Sequence, residues 1–314
     1  MNLSILYRGP LSSCNYACGY CPFAKRTESA DELARDRACL ERFVRWVGDR
    51  AAGTVGVLFT PWGEALVRRW YQEALATLSR MPRVCKAAVQ TNLSCKLDWV
   101  DGCDLAKLAL WCTYHPGETT RERFLAACRS LSDRGVRYSV GVVGLKEHFG
   151  EIAALRDELP GDIYLWVNAY KREPDYYTPE MVESLTRVDP LFPFNNSYHP
   201  SLGQPCRAGR SVISVDGDGT VRRCHFIDRP IGNLYAPDFF HPNTVAQGIV
   251  ANAVLDALHE GYGAHVQRLR LTDQEILTEA NVAHHPGHTF FDVTPYVILS
   301  QEQHEHHDGL ALAL

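Results

Sequence analysis

"SSCNYACGYCPF", residues 12–23, sets three cysteines, Cys14, Cys18 and Cys21, within eight consecutive positions. A closed structural zinc site takes four protein ligands, and a disulfide takes two thiols. Three clustered thiols therefore suit a metal centre with one coordination position left free, which is what a reacting ligand needs. In an iron–sulfur cube, three cysteines leave the fourth iron without a protein ligand. No second CxxC pair accompanies the triplet, so a zinc ribbon does not account for it. A zinc site with a remote fourth ligand, or three thiols that merely pack, are the alternatives at this level.

What surrounds the triplet places it in a fold. "LSILY" (3–7), just before it, reads as a strand, and 31–48 reads as a helix with Leu33, Leu40, Phe43, Val44 and Val47 on one side. "TVGVLF" (54–59), "VCKAAVQ" (84–90), "LAKLALWC" (105–112), "VRYSVGVV" (136–143) and "IYLWVN" (163–168) read as further strands. Helical stretches at 66–80, 119–134 and 147–158 separate several of them. Six β/α units in the first 170 or so residues predict a parallel sheet with covering helices. In such sheets the loops beyond the carboxyl ends of the strands carry function. From 189 to 205 the chain is rich in Pro, Asn and Ser and reads as a connector. "SVISVDGDGTVRRC" (211–224) then reads as a β-hairpin around a Gly–Asp–Gly turn.

Composition removes other classes. The 314 residues are 46% hydrophobic, enough for a sizeable core, and the net charge is −5. No basic stripe offers a footprint for nucleic acid, and no run of about 18 apolar residues offers a membrane span. "MNLSILYRGP" lacks a basic start and a cleavage site and reads as a strand rather than a signal peptide. A cytoplasmic location is expected, with the 11 cysteines mostly reduced. Cys39, Cys85, Cys112 and Cys128, each alone in apolar context, read as small core residues. "DGDG" (216–219) lacks the ligands of a calcium loop and reads as a tight turn. The histidine-rich end (His284, His285, His288, His304, His306, His307) reads as a solvated tail.

The spacing Cys14-x3-Cys18-x2-Cys21 after a first strand resembles the hallmark of the radical S-adenosylmethionine (radical SAM) superfamily, including an aromatic residue, Tyr20, before the last cysteine. The resemblance implies a partial (β/α)6 TIM-like barrel with a small C-terminal extension containing a β-hairpin. It also implies a 4Fe-4S cluster on the three cysteines. That cluster would reductively cleave S-adenosyl-L-methionine to a 5′-deoxyadenosyl radical that takes hydrogen from a substrate. "TPWGEAL" (60–66) looks like the family's Gly–Gly–Glu–Pro loop: Gly63 and Glu64 match, while Trp62 and Ala65 replace the first glycine and the proline. Asn92 in "QTNLS" resembles a cofactor-facing strand end. "VGVVGLKE" (140–147) partly resembles the family's GxIxGxxE motif, with Val142 in the position that packs on adenine and Gly144 and Glu147 matching. Asn168 in "VNAY" suits hydrogen bonds to adenine or ribose. Tyr114 and His115 in "CTYHPGE" are candidates for substrate contact or proton handling.

Cys206 and Cys224 frame the hairpin in a manner similar to the start of the SPASM or twitch auxiliary-cluster region, and "IGNLYAPDF" (231–239) fits the segment that follows. A full auxiliary site takes more cysteines, and none follows Cys224. A second iron–sulfur cluster with unusual ligands such as His225, an empty remnant, and an altered C-terminus all stay open. The expected division is 1–188 barrel, 189–240 extension and 241–314 helical and His-rich tail. The implied partners are a reductant protein of flavodoxin or ferredoxin type and a peptide or small-molecule substrate. The rival reading is a non-catalytic iron–sulfur electron-transfer or metal-binding protein.

Overall fold

The computed structural model describes residues 2–23, 26–49, 53–199, 207–209 and 211–235. Cys206 and the chain from 236 onward, with the tail helix and histidines anticipated there, lie outside the described residues. Two units divide the chain at Arg229 and Pro230. The described part of the second is a short strand, β9 (Pro230–Asn233), and the turn to Tyr235, whose amide donates to the Asn233 side chain.

The first unit holds the expected alternation. Six strands, β1 (Asn2–Arg8), β2 (Thr54–Phe59), β3 (Val84–Thr91), β4 (Leu108–Tyr114), β5 (Arg137–Val143) and β6 (Leu165–Asn168), lie side by side in chain order. Every neighbouring pair is parallel. Helices α1 (Ala30–Gly48), α2 (Arg69–Arg80), α3 (Arg121–Asp133), α4 (Phe149–Glu158) and α5 (Pro179–Val188) supply the crossovers and cover. The sheet is an open partial barrel of α/β type, as the repeating units predict.

Local chemistry explains the elements. Ser29 and Glu32 form a reciprocal capping box that starts α1. Thr120 caps α3, and Thr178 before Pro179 caps α5. Along β1, Leu3, Ile5 and Tyr7 are buried, while Ser4, Leu6 and Arg8 alternate to the other face. Tyr7 stacks on Phe43 of α1 with ring centroids 4.3 Å apart. The helix-covered face is thus the packed one, and the opposite face is the inside of the partial barrel.

Three details differ from the sequence reading. The connector contains a short helix, α6 (Phe192–Asn196), held by buried Asp189, whose carboxylate accepts from the Val167 and Leu191 amides and the Tyr164 hydroxyl. The hairpin, β7 (Val212–Asp216) and β8 (Thr220–Arg222), lays β7 parallel against β1, with Arg8 opposite Asp216. That pairing satisfies an edge of backbone donors and acceptors that β1 would otherwise expose. Gly219 (φ 87°) closes the three-residue loop, a conformation that favours glycine. Finally, Cys112 and Cys128 are buried as expected, but Cys39 is half-buried and Cys85 is exposed near the start of β3.

Candidate functional site

The cysteine triplet lies on the loop that leaves β1 at the carboxyl ends of the parallel strands. The buried carboxylates of Asp36 and Glu28 hold this loop, and that of Glu64 braces the loops after β2 and β3 beside it. Asp36 of α1 accepts from the Leu11 amide (3.1 Å), the Trp70 indole (2.7 Å) and the Tyr71 hydroxyl (3.1 Å). Glu28 accepts from the amides of Ser12 (3.1 Å) and Ser13 (3.0 Å) and from both serine hydroxyls. Glu64 accepts from the Leu66 amide (2.9 Å), the Thr91 hydroxyl (2.7 Å) and the Asn92 amide (2.7 Å). Burial raises the carboxyls of Asp36 and Glu64 above their ordinary range, against the pull of these donors.

The loop after β2 is fused to the triplet's loop by backbone bonds. The Gly63 amide donates to the Leu11 carbonyl and the Glu64 amide to the Ser13 carbonyl, both at 3.1 Å. Beyond β3, buried Leu93 adopts a left-handed backbone (φ 55°). Next to it, the Asn92 side-chain amide donates to Asn15 Oδ1 (3.0 Å) and reaches Cys14 Sγ (3.8 Å).

The three cysteines are free thiols. The Tyr16 amide donates to Cys14 Sγ (3.4 Å), and the Cys21 amide donates to the Cys18 carbonyl (3.1 Å). Cys18 is buried with its sulfur 3.4 Å from His115 Nδ1, and the Tyr20 hydroxyl lies 2.6 Å from the same nitrogen. The Tyr20 ring lies nearly parallel to the imidazole (12°), and Tyr16 meets it edge-on. Burial pushes the Cys18 thiol up to about 11, raises Cys14 and the Tyr20 phenol, and lowers His115 to about 4. The imidazole is therefore neutral in this pocket near pH 7.

Cys14, Cys18, Tyr20, Gly63, Glu64, Asn92 and His115 are brought together here. Glu64 enters as a brace, its carboxylate taken up by three donors. Asn168 is exposed at the end of β6, on the inner face, opposite Val143. Tyr114, Val142 and Gly144 are not part of the cluster. The Tyr114 ring packs on Phe124 of α3 and its hydroxyl donates to Glu151 of α4 (3.0 Å), so it sits under the helices. Val142 is the register partner of Tyr114 and shares that covered face. A β-carbon on Gly144 would meet Tyr177, Val167 and Leu185. Glu147 is exposed in the turn before α4. Cys224 is half-buried just beyond β8.

Three thiols on one loop are the donor set that an iron–sulfur cube takes from a protein when one iron is left open. Among the described residues no three His, Cys, Asp or Glu side chains are gathered as a single metal ion needs.

No family model matches the chain, and no curated protein matches it. Solved structures do. The chain is similar to hexahistidine-tagged anSMEcpe with bound AdoMet, at 16% identity and a TM-score of 0.50, over 74% of this chain and 75% of that one. It is similar to native anSMEcpe with bound AdoMet and Kp18Cys peptide, again at 16% identity and 0.50, over 74% of this chain and 78% of that one. At this identity the likeness is one of fold. Among the described residues no helix is long and apolar enough to cross a membrane.

Proposed function

We propose that this chain is a radical S-adenosylmethionine enzyme, with Cys14, Cys18 and Cys21 holding a 4Fe-4S cluster. The observation that carries the reading is the place of the CxxxCxxC loop. It leaves β1 at the carboxyl ends of six parallel strands and is stitched through Gly63 and Glu64 to the loop after β2. The shared fold with AdoMet-bound anSMEcpe supports it. When bound, the cluster and S-adenosylmethionine supply one-electron cleavage to a 5′-deoxyadenosyl radical, which abstracts hydrogen from substrate.

The chain's own residues prepare that chemistry. The thiols of Cys14 and Cys18 are held protonated by burial, so loading the cluster displaces their protons. Tyr20, His115 and Tyr16 wall the Cys18 side with aromatic rings and keep water from it. The Asn92 amide faces Cys14. Asn168 offers a hydrogen-bonding side chain at the open end of β6. The Glu64 carboxylate ties the loop after β2 to the end of β3, and its amide ties that loop to the triplet's at Ser13. The proposal extends to a flavodoxin- or ferredoxin-type reductant, a peptide or small-metabolite substrate, and a cytoplasmic setting. The peptide bound to anSMEcpe supports the first of the two substrate classes.

The test is anaerobic purification, reconstitution with iron and sulfide, and an assay for 5′-deoxyadenosine on reduction with S-adenosylmethionine present. The product is expected, and a triple Cys→Ala variant at 14, 18 and 21 loses it. A brown protein that makes none would favour an electron-transfer or metal-binding role and overturn the proposal. Iron and sulfide counts decide between one cube and two, the second drawing on Cys206 and Cys224.

A further inference from the structure

A cavity of about 410 Å³ opens between the end of β1 and the β7–β8 hairpin, and the reading above leaves it without a task. Its lining is charged: Arg8, Arg35, Arg222 and His225 face Asp216, Asp218 and Asp228. Arg222 pairs with Asp216 and lies 3.4 Å from Asp228, and Asp218 accepts from the Thr220 amide.

Arg8 has no carboxylate partner among the described residues. Its Nε donates to the Thr60 carbonyl (3.1 Å), and its guanidinium lies over the Trp62 indole, 4.0 Å from the ring centroid. The two terminal nitrogens, the pair that grips an oxyanion in bidentate fashion, remain. His225 meets the same cavity from β7's side. Its Nδ1 is 2.5 Å from Ser214 Oγ, and its Nε2 is buried with no partner among the described residues. With the Ser214 hydroxyl donating to Nδ1, Nε2 carries the hydrogen. Ser214 lies opposite Leu6 and Asp216 opposite Arg8, so these groups rise from one face of adjacent strands.

We propose that this cavity binds an oxyanion of the substrate, a carboxylate or a phosphate, through the terminal nitrogens of Arg8 and the Nε2–H of His225. The word "substrate" rests on the radical-enzyme reading; the anion site itself does not. The anchor is built onto the loop of the cysteine triplet. Arg8 leads into it along the chain, and Trp62, under the guanidinium, packs on Phe23 at its far end (ring centroids 4.5 Å apart).

The test uses the full chain without iron or S-adenosylmethionine. Inorganic phosphate and acetate are titrated in separate arms at constant ionic strength, followed by calorimetry. Saturable binding in one arm is expected, and that arm names the anion. Arg8→Gln should weaken it about tenfold or more, as loss of a charged hydrogen-bond partner does, and Arg8→Lys should recover part. His225→Phe, which leaves Arg8 and its Thr60 bond in place, should also weaken it and serves if Arg8→Gln fails to fold. No saturable binding in either arm, or unchanged affinity in folded variants, overturns the site. Anion binding without 5′-deoxyadenosine formation would sink the radical-enzyme reading alone; the reverse would sink this inference alone.

Discussion

Gly63 sits so close to Ser13 that a β-carbon at position 63 would lie 2.0 Å from the Ser13 carbonyl oxygen. The loop after β2 and the loop of the cysteine triplet are therefore in backbone contact, and a side chain at this point must separate them. Gly63 is half-exposed and has an ordinary φ, so its need is for space rather than for a left-handed backbone.

Gly63→Ala should destabilise the fold by about 1–3 kcal/mol, the range for overpacking a close contact. It should also lower the iron retained after anaerobic reconstitution, because the triplet's loop has to shift. Urea unfolding and an iron assay check the two effects. Wild-type stability and iron content in the variant would show that the two loops move independently.

Glu28 anchors the same loop from the other side. It is buried, and its two oxygens take up two amides and two hydroxyls of Ser12 and Ser13. Glu28→Ala leaves the buried Ser13 donors unmatched, which should cost about 2–3 kcal/mol. Urea unfolding reads this directly. A change below about 0.5 kcal/mol would mean that water replaces the carboxylate and that the loop does not depend on it.

The strands and crossovers were legible because their period-2 and period-3.6 patterns are strong, and the triplet because its spacing is rare. The braces were not. Asp36 takes a core position in α1, in line with Leu40, Phe43 and Val47, where a sequence pattern expects an apolar residue. That interruption of the stripe was the available signal, and Trp70 and Tyr71, its partners, are 34 and 35 residues away. For Tyr114 and Val142 the signal that sequence lacks is the direction of the side chain. Adjacent residues on a strand face opposite sides, and nearness to the strand end says nothing about which face is open. The β1–β7 pairing joins residues some two hundred positions apart, beyond any local pattern.

Asp36 gives a pH-dependent prediction. Burial raises its folded value above the ordinary 3.8. The folded chain then holds the proton more readily than the unfolded chain, so the contribution to stability is full below 3.8 and is lost as pH rises through the raised value. Asp36→Asn lacks this contribution. The stability gap between wild type and variant should therefore narrow from about pH 3.5 to pH 7. Urea midpoints across that range test it. A gap that widens would mean that the three donors outweigh burial.

Tyr114 separates a packing role from a chemical one. Its hydroxyl donates to Glu151, which also accepts from Arg121 (2.6 Å), and its ring is buried against Phe124. Glu151, Arg121 and Phe124 all belong to α3 and α4, on the face of β4 turned away from the inside of the barrel. Tyr114→Phe keeps the ring and removes one hydrogen bond, so it should cost about 0.5–1.5 kcal/mol. It should leave 5′-deoxyadenosine formation at the wild-type rate at temperatures where both proteins are folded. His115, the next residue, stands against Cys18 and Tyr20, so His115→Ala should alter the absorption of the reconstituted protein. If Tyr114→Phe lost product tenfold with its fold intact, the hydroxyl would have to reach the reaction, and the direction assigned to β4 would be wrong.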